Sequence, residues 1–319
     1  MSTALAPTID EIRQAARRLR DVSVRTPLVP LHSFSDRSTI LLKPEIHQPV
    51  TSFKIRGVYN AVASLTDEDR SRGLSTVSAG NTAQALAWAG RHFGVPARSV
   101  MPEQAPTSKV EAVRAYGGTP VLLPMQEVFR YLREHLWEQE PYSFIHPWTN
   151  RNVMIGHASL ALEILEDCPE VDSVFVPVGG GGLIGGVGAA LKALRPSARL
   201  FAVEPEGCPS LARSIEAGEP VTVDCDTICD GVAVPYMTHE MFPLLNEIVD
   251  RVVLVSDQRV KATVKQLALG NKIIAEPSGA LATAAALSMA EIDRGKSVCL
   301  VTGGSIDEAK FVSILTESF

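Results

Sequence analysis

Four consecutive glycines, Gly179-Gly180-Gly181-Gly182, followed by Leu183-Ile-Gly-Gly, stand directly after the apolar run Val174 to Val178 and directly before a segment with helical spacing. Glycine has no Cβ, so such a loop can close around an anion with several backbone N–H groups pointing inward. The N-terminus of the next helix adds its positive dipole. The chemistry this favours is the capture of a phosphate. The run is not a Walker loop, which ends in Gly-Lys-Ser/Thr, and it does not open the first βα unit as a dinucleotide fingerprint does. Glu204 lies near the place where that fingerprint puts its acidic residue, so a dinucleotide remains an alternative on this motif alone. Gly185 and Gly186 are explained as well by close packing of helix on strand.

Three further clusters carry reactive or anion-binding groups. In Ser52-Phe-Lys-Ile-Arg-Gly, Lys54 falls in the first turn of a helix that Ser52 could cap. The helix dipole disfavours a cation there, and a neutral amine is the form that attacks a carbonyl. A lone lysine is usually an exposed surface residue, so its role rests on its neighbours. Val77-Ser-Ala-Gly-Asn-Thr runs from a strand through a turn into a helix and offers N–H groups and small polar side chains to a carboxylate. Val301-Thr-Gly-Gly puts a hydroxyl at the C-terminal end of a strand, where open α/β sheets bind ligands. Together these describe a site for pyridoxal phosphate (PLP) and an amino acid.

From about Arg25 onward, Ser52-Phe-Lys-Ile-Arg-Gly, Ser78-Ala-Gly-Asn, the tetraglycine and Thr302-Gly-Gly occur in the order of the fold-type II PLP enzymes. The chain resembles in particular the threonine dehydratase and serine racemase family. The resemblance implies an α/β fold like the tryptophan synthase β subunit, with two three-layer α/β domains and mostly parallel sheets. Residues 1–72 and 149–319 would form the large PLP-binding domain, and 73–148 a small mobile domain that closes over substrate. It further implies that Lys54 carries PLP and acts as the catalytic base, Phe53 lies beside the cofactor ring, and Asn81 bonds its 3-oxygen. Gly179, Gly180, Gly181, Gly182 and Leu183 would hold the phosphate, with Gly231 and Glu276 near the cofactor and Thr302 facing the ring nitrogen. Ser78, Ala79, Gly80, Thr82 and Trp148 would line the substrate.

The implied reaction removes the α-proton and the β-hydroxyl of a 3-hydroxy amino acid, giving a 2-keto acid and ammonia. Threonine, serine and a bulkier analogue such as phenylserine are the candidates; a racemase or a hydroxyaspartate dehydratase is the alternative within the family. A hydroxyl rather than a carboxylate at the ring nitrogen favours elimination over transamination. Ala79 stands where serine racemases carry a second acid/base serine, which argues against two-base racemisation. Thr82 replaces the usual histidine, and Trp148 replaces an asparagine, either as interface packing or as a stacking wall. The family's divalent-cation site keeps Glu204 but has Ser210 at a later acidic position, so no strong metal dependence is expected. No regulatory domain is expected after Thr302-Gly-Gly. A cysteine synthase-like β-replacement enzyme and a nucleotide-binding sensor are the rival readings.

The elements that must position these groups alternate as βα units. Helix is expected at Ile9 to Leu19, after the capping box Thr8/Glu11, then up to Leu65, and at Thr82 to His92 and Thr107 to Tyr116. Strands are expected near Thr76–Val77, Ser99–Met101 and Val121–Leu123. The second half reads as helix Gly156–Leu165, strand Ser173–Val178, helix Ile184–Leu194, strand Leu200–Val203 and helix Ser210–Ala217. Strand Val252–Val255, helices Gln258–Leu269 and Ser278–Ala290, strand Val298–Thr302 and a helix from Asp307 complete it. Short apolar strands between helices require a parallel sheet buried on both faces.

Composition narrows the classes. The 319 residues are 45% hydrophobic and 21% charged, and 30 basic against 36 acidic side chains give a net charge of −6. That disfavours disorder and general nucleic-acid binding. The start, Met1 to Pro7, lacks an apolar run of signal length, and Ala280 to Ala290 is too short to span a bilayer, so a cytoplasmic protein without membrane contact, and by resemblance a homodimer, is expected. Five cysteines without a Cys-x-x-Cys pair suggest reduced, buried thiols. His92, His157 and His239 read as local hydrogen-bonding residues.

Overall fold

The computed structural model describes residues 5–32 and 39–318; Met1–Ala4, where the amino-terminal stretch considered above begins, lie outside them. Among the described residues ten strands form two sheets. The strands are β1 (Val29–Pro30), β2 (Ile40–Pro44), β3 (Leu74–Val77), β4 (Ala97–Pro102), β5 (Thr119–Leu123) and β6 (Ser143–Phe144). The remainder are β7 (Ser173–Pro177), β8 (Arg199–Pro205), β9 (Arg251–Val255) and β10 (Ser297–Val301). The larger sheet has the order β1-β2-β10-β7-β8-β9 and is parallel except where β1 meets β2. The smaller, β5-β4-β3-β6, is parallel throughout.

The larger sheet is covered on both faces because its strands are apolar in both registers. Val174, Val176, Leu200, Ala202, Val298 and Leu300 point to one face and pack against helices Arg151–Asp167 and Gly182–Leu194 through Met154, Ala158, Ile184 and Val187. Phe175, Phe201, Val203, Cys299 and Val301 point to the other, against helices Asp257–Gln266 and Pro277–Leu287. Alternation of successive side chains between faces yields the three layers. The smaller sheet is likewise sandwiched, with Val77, Val100 and Val121 meeting helix Met125–Arg133 on one side. On the other, Met101 meets helices Asn81–Phe93 and Thr107–Ala115.

Most expected elements lie within a residue or two of their positions, and helix Ile9–Leu19 carries its Thr8/Glu11 capping box. Helix Arg151–Asp167 starts five residues before the expected Gly156, and four further findings differ. Residues 40–44, read only as extended, form β2 inside the large sheet, paired to β10 over five residues. Helix Asp257–Gln266 does not continue regularly to Leu269 but widens into a π-turn at Leu267–Asn271, ended by Lys272 with a positive φ of 59°. Helices Met125–Arg133 and Phe242–Ile248 were not anticipated; the first is amphipathic and the second opens with a proline in its first turn. The expectation of five reduced thiols is corrected: Cys208 and Cys225 are joined in a disulfide, Cα to Cα 4.4 Å, while Cys168, Cys229 and Cys299 are free and buried. The bonded pair stand 17 positions apart in the chain, and the loop returning after β8 brings them together rather than any local motif.

No helix among the described residues is long and apolar enough to cross a membrane.

Candidate active site

The site is a cavity of about 320 Å³ between the C-terminal ends of the two sheets. One wall comes from the larger sheet: Lys54, the glycines 179–182, Gly231, Glu276, Ser278 and Thr302. The other comes from the smaller sheet: Ser78 to Thr82, Lys109, Met125 and Trp148. All the site residues expected from the sequence border this one space.

Lys54 opens helix Lys54–Ala63. The Ser52 hydroxyl accepts the Lys54 N–H at 3.3 Å, although the residue before the helix is Phe53 and has no capping side chain. The segment is tied to the end of β10, since the Phe53 N–H donates to the Thr302 carbonyl at 3.1 Å. That bond brings the lysine and the strand-end hydroxyl to one place. Burial pushes the Lys54 amine down from 10.5 to about 8, opposed by the carboxylate of Glu276. Desolvation, rather than the helix dipole expected from the sequence, is the first cause of this shift.

The helix behind the lysine is fixed by backbone approach and by buried charge. A Cβ on Gly156 would fall 2.3 Å from the Arg56 carbonyl oxygen, and one on Gly57 would fall 2.3 Å from the His157 ring, so helices Lys54–Ala63 and Arg151–Asp167 cross with no room between them. Arg56, 1% exposed, bonds Glu45 and Glu163 at 2.7 Å each, and Lys43 bonds Glu163 at 2.5 Å and the Thr26 carbonyl at 2.6 Å. A buried guanidinium is tolerated when its donors meet carboxylates in this way.

His157 corrects the expectation of a hydrogen-bonding histidine. Both its ring nitrogens are buried without a partner, and its ring lies 4.7 Å from that of Phe53. Burial, then the charges of Lys54 and Arg56, hold it well below its ordinary pKa and therefore neutral. It serves as a packing surface for Phe53. His92 meets the Tyr59 hydroxyl at 3.5 Å.

The tetraglycine bends from β7 into helix Gly182–Leu194. Gly181 precedes that helix with φ +91°, a left-handed conformation that glycine adopts freely. At Gly180 a Cβ would fall 2.3 Å from the Trp148 indole, so the tryptophan lies directly on the loop. Trp148 thus forms the wall of the cavity next to the cup, and its indole N–H is buried without a partner. The first N–H groups of a helix have no intrahelical acceptor, so those of Gly182 and Leu183 remain available to an anion.

Asn81 opens helix Asn81–Phe93 and donates its side-chain amide to Glu276 Oε1 at 2.7 Å, joining the two walls. Its Oδ1 and Glu276 Oε2 are buried and unpartnered. Burial raises Glu276 from 4.5 to about 7, offset by the nearby Lys109 charge. The Gly231 N–H donates to the Ser278 hydroxyl at 2.9 Å, and the Thr302 hydroxyl donates to the Ser278 carbonyl at 3.4 Å. An amine lowered to about 8, a glycine cradle and orphaned polar atoms facing one cavity fit PLP: the amine for its aldehyde, the cradle for its phosphate, the second Asn81 amide hydrogen for its ring oxygen.

Sequence reasoning missed Lys109 and Asp230, whose side chains bond across the cavity, and also Met125 and Ser278 on its walls. Asp230 directly precedes Gly231 and Ser278 lies two residues after Glu276, both of which the resemblance places near the cofactor. Nothing in the sequence pairs position 109 with position 230. Glu204 lies elsewhere. Its carboxyl accepts the N–H groups of Leu211 and Ala212 at 2.7 and 2.9 Å and faces the Ser210 hydroxyl, so it caps helix Ser210–Ala217. No cluster of three metal-ligating side chains is found among the described residues.

Comparison with known proteins adds the following. Residues 19–303 match the family described as "Pyridoxal-phosphate dependent enzyme". The chain is 37% identical over 306 residues to an L-threonine ammonia-lyase of Thermotoga maritima, covering 94% of this chain and 76% of that protein. It is 33% identical over 325 residues to an L-threo-3-hydroxyaspartate ammonia-lyase of Saccharomyces cerevisiae, covering 98% and 97%. The solved structure of maize serine racemase superimposes with a TM-score of 0.89 at 35% identity, covering 97% of this chain and 96% of that one.

Proposed function

The chain belongs to the family of pyridoxal-phosphate dependent enzymes, and from that premise we propose that it is a lyase converting a 3-hydroxy amino acid to a 2-keto acid and ammonia. The observation that carries the reading is that Lys54, with its amine lowered to about 8, faces the same cavity as the tetraglycine at the start of helix Gly182–Leu194.

The cofactor, when bound, supplies the electron sink that makes the substrate α-proton acidic. The protein's own groups do the rest. Lys54 Nζ takes the α-proton, the 3-hydroxyl departs as water, and hydrolysis of the resulting unsaturated amine returns that water and releases ammonia. Net, the substrate rearranges to keto acid plus ammonia, with no oxidant required. The N–H groups of the 78–82 loop orient the α-carboxylate, while Phe53, Asn81, Gly179 to Leu183, Gly231, Glu276 and Thr302 hold the cofactor. Ala79 supplies no proton donor opposite Lys54, which favours elimination over racemisation. Trp148 and Met125 give the cavity an apolar rim that suits a threonine methyl or a larger substituent.

In this reading residues 73–148 form a mobile unit that closes on substrate, the smaller sheet being its framework. The working unit is a homodimer, as the sequence resemblance implies, and it acts in the cytoplasm. Because both Glu204 oxygens are occupied by helix N–H groups, activity should survive a chelator.

The test is to incubate purified holoenzyme with threonine, serine or phenylserine in the absence of any thiol and to measure ammonia and keto acid. Release in equal amounts is expected. No ammonia from any of them would overturn this reading for these substrates, and product only when a thiol is added would replace it with β-replacement.

A further inference from the structure

Among the described residues lining the cavity, the cationic side chains are Lys54 and Lys109 and the anionic ones Asp230 and Glu276. Lys54 is committed to the cofactor, and Glu276 is bonded to Asn81. The other two bond to each other across the cavity. Lys109 comes from the first turn of helix Thr107–Ala115 beside the smaller sheet, where the helix dipole disfavours a cation and a carboxylate partner is needed. Asp230 comes from the single turn Asp230–Val232 on the opposite wall, held by the Gly231 N–H to the Ser278 hydroxyl.

The pair lines the cavity beside the 78–82 loop. Lys109 is 9% exposed, and its Nζ lies 3.8 Å from where a Cβ on Gly80 would stand, above the loop that takes the α-carboxylate. The Asp230 side chain is 43% exposed. The rest of this rim is Ala105, Pro106, Met125, Pro147 and Trp148, which carry no charge. A second carboxylate on the substrate β-carbon would therefore find the Lys109 charge already matched and would face the Asp230 carboxylate. Like charges at a partly desolvated site repel strongly.

We propose that the Lys109–Asp230 pair is a charge gate that sets the β-substituent, admitting 3-hydroxy amino acids whose substituent is neutral and rejecting those that carry a second carboxylate. The proposal rests on the lyase reading and narrows its substrate class. It makes Asp230 a specificity determinant that acts by neutralising Lys109.

The experiment compares kcat/KM for L-threonine and L-threo-3-hydroxyaspartate in the wild-type holoenzyme, Asp230→Asn, Lys109→Met and the double variant. In parallel, succinate binding to the resting holoenzymes is measured by calorimetry. The wild type should favour threonine. Asp230→Asn should raise the hydroxyaspartate-to-threonine ratio at least tenfold and tighten succinate at least tenfold. Lys109→Met should lower the ratio at least fivefold, and the double variant should return near wild type. A wild type that favours hydroxyaspartate, or an Asp230→Asn ratio and succinate affinity both within twofold of wild type, would overturn the gate. Should Asp230→Asn not fold, Lys109→Met decides alone, a ratio unchanged or raised counting against the proposal. If the wild type releases no ammonia from either substrate, the lyase reading fails, and the succinate titration still decides the gate.

Discussion

Two buried glutamates, Glu204 at the end of β8 and Glu276 beside the cavity, differ in what surrounds them. Both are at most 2% exposed, and burial raises both from 4.5 to about 7. At Glu204 the carboxyl is saturated by the N-terminus of a helix, with bonds of 2.7 and 2.9 Å. At Glu276 one oxygen receives Asn81 and the other is left bare. A saturated buried carboxyl belongs to the scaffold, whereas one kept unsaturated next to an amine and a glycine cradle is reserved for a ligand. In the reading proposed here, the same amino acid with the same shift serves stability in one region and binding in the other.

The sharpest way to break this contrast is to remove the amine on the binding side. Lys54→Ala should leave the protein colourless with added PLP and lower kcat/KM by about 10³-fold or more, with an unchanged far-ultraviolet spectrum. Next, Glu276→Ala should lower kcat/KM by roughly 10²-fold while leaving the melting temperature of the cofactor-free protein unchanged or higher, because an unsatisfied buried oxygen is removed. A drop in stability larger than the drop in activity would erase the distinction.

Glu204→Ala should do the reverse. Orphaning the N–H groups of Leu211 and Ala212 costs about 1–3 kcal/mol in a urea titration, with kcat/KM of the folded protein within about threefold of wild type. A further effect is in pH. The folded state holds protons on both glutamates up to about pH 7, while the unfolded chain releases them near 4.5. Their favourable contribution is therefore full below pH 4.5 and lost as pH rises through 7. The cofactor-free protein should lose stability from these groups between pH 5 and 7.5, and Glu204→Gln should flatten that slope in part.

The contrast also shows what was legible in the sequence. The tetraglycine, Ser52-Phe-Lys and Ser78-Ala-Gly-Asn were readable because a tight anion loop and a capped helix start are local constraints on composition. The βα alternation followed from periodicity, since each strand of the large sheet is apolar on both faces. The role of Glu204 was not readable, for the sequence shows an acid at a strand end and not which backbone groups will meet it. The Cys208–Cys225 bond, the Lys109–Asp230 pair and the orphaned ring of His157 share that origin: each depends on distant segments brought together by the sheets. Even where the lysine was identified, the cause of its shift was misassigned, since burial is a tertiary property.

The crossing of the helices at Gly57 and Gly156 has a consequence for redesign. With main chain against main chain there and Arg56 anchored between two carboxylates, the floor beneath Lys54 has no slack, so a single methyl group at either glycine would shift the reactive nitrogen itself. Room for larger substrates must be carved from the opposite rim, at Met125 or Trp148, where a side chain can be shortened without moving the reacting end.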